Sequence, residues 1–151
     1  MNLAKNTLVL VADGRKMLFL RNHGDEAQMD LHLEAHQEQQ NPSTHDQGTD
    51  APGRSFAPGR SFASGGRRSA MEETDYHQIE EDRFAAEAAE LLRDRALRGD
   101  FKALVVVAPP RTLGELRKHY HKEVESRIVE ELNKDLTGFP IDDIQAALLR
   151  V

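Results

Sequence analysis

Two stretches of this chain contain no polar side chain: LVLVA at 8–12 and ALVVVA at 103–108. A strand with one face in water alternates apolar with polar residues, whereas a run without alternation has to be covered on both faces. The pair therefore predicts two central strands of one sheet. The flanking residues extend the pattern. Asp13-Gly14 separates the first run from a second apolar run at 16–21, which is a hairpin signal. Met29, Leu31 and Leu33 then alternate with Asp30, His32 and Glu34, predicting a third, half-exposed strand over 29–33.

Helical spacing follows. Ile79, Phe84, Ala88, Leu91, Leu92 and Ala96 share one face of a helix expected over 76–98, capped by Thr74 or Asp75 and stopped by Gly99. Pro109-Pro110 ends the second apolar run, since proline donates nothing to a ladder. Thr112 and Glu115 have the spacing of a capping box for a helix over 113–120. Residues 122–136 permit either a helix or a strand, and Pro140 opens a last helix over 141–149. Three opening strands followed by helix, strand, helix, probable strand and helix make an α/β mixed sheet. It starts antiparallel and continues in parallel through right-handed crossovers, the connectivity of the ribonuclease H-like fold.

With 151 residues the chain fits one domain, 1–151, and 38% hydrophobic residues without tryptophan predict an aliphatic core. There is no cysteine, which excludes a disulfide framework, thiolate–metal sites and a cysteine nucleophile. No apolar run approaches a membrane span or a signal peptide, so no membrane insertion and a cytoplasmic location are expected.

Between 35 and 74 all periodicity is lost. Prolines stand at 42, 52 and 58, and APGRSF at 51–56 is repeated at once at 57–62. A stretch of this length inside a compact domain predicts a flexible, functional loop. Residues 51–70 carry Arg54, Arg60, Arg67 and Arg68 and no acid, on a protein of formal charge −6; the remainder is therefore about −10 by difference. Such a segment is either an anion-binding arm or a solvated linker. Phe56 and Phe62 could stack on bases while the arginines pair with phosphates, or one of them could pin the loop to the body.

Other chemistry is sparse. A two-metal nuclease on this fold needs several carboxylates converging at strand ends. Asp13 is suitably placed, but the second apolar run ends in Ala108-Pro109-Pro110 without an acid, and Glu80 and Glu81 open an ordinary acidic helix. Neither a metal, a cofactor nor a catalytic residue is predicted. Arg111 and Thr112 follow a strand end and open a helix, where a phosphate could sit or where a plain cap could suffice. His32 and His36 have ligand spacing only on a helix, and that segment reads as strand; His119 and His121 read as surface residues.

LVLVADGRKMLFL at 8–20, PGRSF followed by SGGRRSAME ending at 72, EEDRFAAEAAELL, LVVVAPPRTLGELR at 104–117 and VEELNKDLTGFP at 129–140 together resemble the bacterial host attachment protein family. That family is related to the middle domain of archaeal and eukaryotic peptide-chain release factors. The resemblance implies the mixed-sheet fold derived above and makes 129–132 a strand. In those release factors a Gly-Gly-Gln tip enters the peptidyl-transferase centre, and a helix follows it. Here Gly65-Gly66 occupies an equivalent place, but the next residue is Arg67, which has no acceptor with which to position water. The resemblance thus implies a non-hydrolytic protein that binds RNA or the ribosome (tRNA or rRNA) through Arg54, Arg60, Gly65, Gly66, Arg67 and Arg68. No separate codon-reading domain is expected within these 151 residues. The family name implies, as an alternative, a host-surface component as partner. Oligomeric state is not legible in the residues.

Overall fold

The computed structural model describes residues 1–39 and 62–151, with 62–75 as backbone. Its contacts cluster into two units, Met1–Gln39 with Asp82–Val151, and Gln40–Glu81. The first unit contains a five-stranded mixed sheet. Strands β1 (Leu8–Ala12), β2 (Lys16–Asn22) and β3 (Leu31–Glu38) come first, then helix α1 (Phe62–Leu97), which begins in the second unit. Strand β4 (Leu104–Ala108), helices α2 (Pro110–His119) and α3 (Lys122–Glu125), strand β5 (Ile128–Asn133) and helix α4 (Ile141–Leu149) complete the chain. The spatial order is β3-β2-β1-β4-β5; β1 pairs antiparallel with β2 and parallel with β4, and β4 pairs parallel with β5. This is the ribonuclease H-like connectivity expected from the pattern of apolar runs.

The two non-alternating runs lie side by side at the centre, and every residue of β1 and β4 is buried. On one face Leu8, Leu10, Leu104 and Val106 pack with Phe84, Ala88 and Leu92 of α1 and Leu116 of α2. On the other, Val9, Val11, Val105 and Val107 pack with Leu3, Leu136, and Ile144 and Leu148 of α4. Removing each such leucine, valine or isoleucine from water contributes about 1.5–3 kcal/mol, which is why this sheet needs helices on both sides.

Several boundaries differ from the sequence expectation. Strand β3 runs on to Glu38, into residues read as loop, because Lys16–Asn22 offers it a ladder that shifts register once, at Phe19/Leu20, and ends with Lys16 opposite Glu38. As an edge strand with exposed His32, Glu34, His36 and Glu38 it tolerates polar residues. Helix α1 starts at Phe62, not near Tyr76. No proline occurs between Phe62 and Leu97, so every residue of α1 keeps its amide donor. Helix α2 starts at Pro110 rather than at Leu113, so Pro109 is its N-cap. Thr112 then lies inside the first turn with its side chain buried, and Glu115 binds Lys118 at 3.0 Å instead of closing a capping box. Residues 122–136 use both options: a single helical turn, capped by His121 Nδ1 accepting from the Glu123 amide, then the strand β5.

The β1–β2 hairpin is present, but its aspartate closes it differently from an Asp-Gly turn of left-handed residues. Asp13 Oδ1 accepts from the amides of Arg15 (2.8 Å) and Lys16 (2.7 Å), while Oδ2 accepts from the Thr137 hydroxyl at 2.7 Å. The repeat at 51–62 lies outside the described residues except for Phe62.

Candidate functional site

The chemistry-bearing residues of the first unit gather at the amino ends of β1 and β4. Arg21, next to last in β2, is the centre. Its side chain is 9% exposed and uses every donor it has: Nε and Nη2 fork onto Glu34 (3.0 and 3.1 Å), Nη1 donates to the carbonyls of Asn6 and Asp100, and Nη2 also reaches Asp100 Oδ2 at 2.9 Å. Arg95, in the last turn of α1, closes the ring by pairing with both Glu34 (3.1 Å) and Asp100 (3.0 Å), and its guanidinium lies 4.8 Å from the centre of the Phe19 ring. Two arginines and two carboxylates thus neutralise each other and tie β2, β3 and the carboxyl end of α1 together.

The electrostatics follow the geometry. The hydrogen bond from Arg21 holds the Glu34 carboxyl below its usual range, against the opposing cost of burial. For Asp100 burial pushes upward most strongly, but the Arg21 and Arg95 cations together outweigh it and leave the carboxyl lowered. Arg21 itself is disfavoured by burial and more than restored by its hydrogen bonds to Glu34 and Asp100. A guanidinium satisfied in this way is the bidentate buried pairing for which arginine, unlike lysine, is shaped.

The next residue, Asn22, is fully buried and equally saturated. Its amide donates to the Leu3 and Ala4 carbonyls, and its Oδ1 accepts from the Gly24 and Asp30 amides at 3.0 and 2.8 Å. The tight return from His23 to Asp30 leaves no room at Gly24, where a Cβ would lie 1.9 Å from the Gln28 carbonyl oxygen.

Beside this network opens a pocket of about 570 Å³, lined in part by Lys5, Asn6, His23, Phe101 and Lys102, with Arg21 in its wall. His23 stacks on His32, ring centres 4.1 Å apart and planes 13° from parallel; His32 in turn contacts Asp30 Oδ2 at 3.0 Å. A third cluster lies on the face covered by α2. There Arg117 pairs with Glu131 at 2.9 Å and the Tyr120 hydroxyl donates to the same carboxylate; burial, then the Glu131 charge, pushes the Tyr120 phenol well up.

Of the residues singled out from the sequence, Arg54 and Arg60 lie outside the described residues. Gly65, Gly66, Arg67 and Arg68 fall in the first turns of α1. Arg111 is exposed near the start of α2 and makes no ion pair among the described residues, but Thr112 beside it is a buried first-turn residue and not the helix cap. His32 and His36 both lie on β3, so they lack the helical spacing a shared ligand would need. Among the described residues no group of three or more histidine, aspartate or glutamate side chains is close enough to hold a metal ion. Sequence reasoning missed Arg21, Glu34, Arg95 and Asp100. The one signal available was Arg21-Asn22 at the end of an otherwise apolar strand.

No described helix is long and apolar enough to cross a membrane. A search of curated proteins finds no match to this chain. The sequence profile of bacterial archaeo-eukaryotic release factor family 12, by contrast, matches residues 6–148, from the turn before β1 to the end of α4, and so spans the whole sheet and its helices. The kinship to release factors expected from the motifs is thereby shown: the chain belongs to bacterial archaeo-eukaryotic release factor family 12.

Proposed function

We propose that this protein binds RNA or the ribosome without hydrolysing an ester, using Gly65-Gly66-Arg67 where release factors carry Gly-Gly-Gln. Family membership supports the ribosomal setting. The observation that carries the reading is the charge pattern of 51–70, four arginines without a single acid on an otherwise acidic chain. Arginine offers five donors and no acceptor, so Arg67 suits a phosphate and cannot orient an attacking water as a glutamine carbonyl can. Arg54, Arg60 and Arg68 supply further phosphate contacts, and Gly65 and Gly66 permit close approach to the nucleic acid.

Ribosome co-sedimentation and titration with single-stranded RNA over a range of salt test this. Binding should weaken as salt rises, and Arg67→Ala with Arg68→Ala should lower the slope of log affinity against log salt by about 1.4, roughly 0.7 per lost contact. Peptidyl-tRNA should stay intact with the native protein. Binding indifferent to salt and to both substitutions, or peptide release by the native chain, would overturn the proposal. Recovery of a host-surface component instead of RNA after crosslinking would replace it with an attachment role.

A further inference from the structure

We propose that the pocket at the amino ends of β1 and β4 binds a nucleotide: a planar heteroaromatic ring carrying a phosphate. The proposal is independent of the Gly65–Arg68 reading. At about 570 Å³ the cavity falls within the range of small-molecule sites. Its charges sort into two sets. Glu34 and Asp100 are consumed by Arg21 and Arg95, and Arg21 has no donor left to offer. Lys5 and Lys102 remain, both exposed and without an ion pair among the described residues, so the rim carries two uncompensated ammonium groups on an acidic protein. Paired point charges of this kind attract a phosphate rather than a neutral ligand.

The remaining walls suit the other half of a nucleotide. His23 lines the pocket as one member of a two-ring stack, the kind of flat surface on which a base settles, and Phe101, Ala4 and Ala103 supply apolar surface. The backbone here is also unusual. Asn6 (φ 72°), the non-glycine residue with positive φ among the described residues, borders this cavity, whereas Gly99 (70°) beside it is the ordinary glycine that ends α1. The turn at Asn6 is what presents its carbonyl to Arg21 at 3.2 Å, and such conformations concentrate at binding sites.

Calorimetric titration of the full chain with AMP, GMP, CMP and UMP, with adenosine and inorganic phosphate as controls, tests the assignment. At least one mononucleotide should saturate the protein, with adenosine and phosphate each about tenfold weaker or worse. Lys5→Ala with Lys102→Ala should weaken mononucleotide binding by about tenfold or more, since charge-assisted bonds to the phosphate are lost. His23→Ala should weaken mononucleotides and leave phosphate unaffected. Both lysines are exposed, so the thermal midpoint of that variant should match the native chain and show that the fold persists. A 5′-phosphorylated trinucleotide distinguishes two sources of the same chemistry: tighter binding than the mononucleotide assigns the site to an RNA end, weaker binding to a free nucleotide. Arg67→Ala with Arg68→Ala should change none of these values. Absence of binding by all four mononucleotides and the trinucleotide, or affinities untouched by the lysine substitutions, would overturn the inference.

Discussion

Arg21 and the arginines at 54–68 are the same residue type in opposite circumstances. Arg21 sits in a ring with two carboxylates and two backbone carbonyls, all five of its donors spent inside the fold. Arg54, Arg60, Arg67 and Arg68 stand in twenty residues that contain no acid to meet them. A guanidinium acts as structure when its fork is filled from within the chain. It is available to a partner only when no group of the fold, near or far in sequence, fills that fork. Lys5 and Lys102 show the same division at close range: they flank the Arg21 ring, yet take no part in it.

Breaking the ring is the severest test of this contrast. Arg21→Ala leaves Glu34 and Asp100, only 31% and 34% exposed, with Arg95 as the one remaining cation of the ring. Because those carboxylates are partly solvated, the cost should fall at the lower end of that for a broken buried pair, about 3 kcal/mol in urea unfolding. Arg21→Lys keeps the charge but not the fork and should lose less; equal losses would show that geometry is irrelevant here. Asn22→Ala, which strands the Leu3 carbonyl and the Gly24 and Asp30 amides, should cost about 2 kcal/mol by the same measurement.

Acid gives a graded version of the same experiment. Glu34 and Asp100 both have their pKa lowered on folding. Their contribution to stability is therefore complete above the unfolded values near 4 and is lost as pH falls through the lower folded values. The native chain should lose stability below about pH 4, and Glu34→Gln should flatten that part of the profile; an unchanged profile would remove the ring from the account. On the exposed face of α2, Arg117→Ala breaks a pair in which the arginine is 57% exposed and should cost much less than Arg21→Ala. Smallest of all, Arg67→Ala with Arg68→Ala should leave unfolding within about 0.5 kcal/mol of native while lowering RNA affinity. A large loss of stability instead would place those arginines in the same class as Arg21.

The fold was largely legible because its signals are local. Runs without alternation mark β1 and β4, and helical spacing from Phe84 to Ala96 marks the part of α1 that covers them. Where legibility failed, a partner distant in sequence decided. Gln37 and Glu38 carry no strand signal, yet they pair with Met17 and Lys16 because β2 supplies the ladder. Thr112 has the spacing of a cap, but the turn after β4 starts the helix three residues earlier and leaves that residue buried.

The residues alone determined that two buried strands would lie at the centre of a mixed sheet, that residues 51–70 carry four arginines and no acid, and to which family the motifs point. Period and composition are properties of neighbouring residues and survive without coordinates. Only the tertiary structure decided which charges are spent. Arg21, Glu34, Arg95 and Asp100 are separated by up to 79 positions and meet within about 3 Å at the amino end of the sheet. Charge pairing depends on distance through space, and no pattern along the chain encodes it.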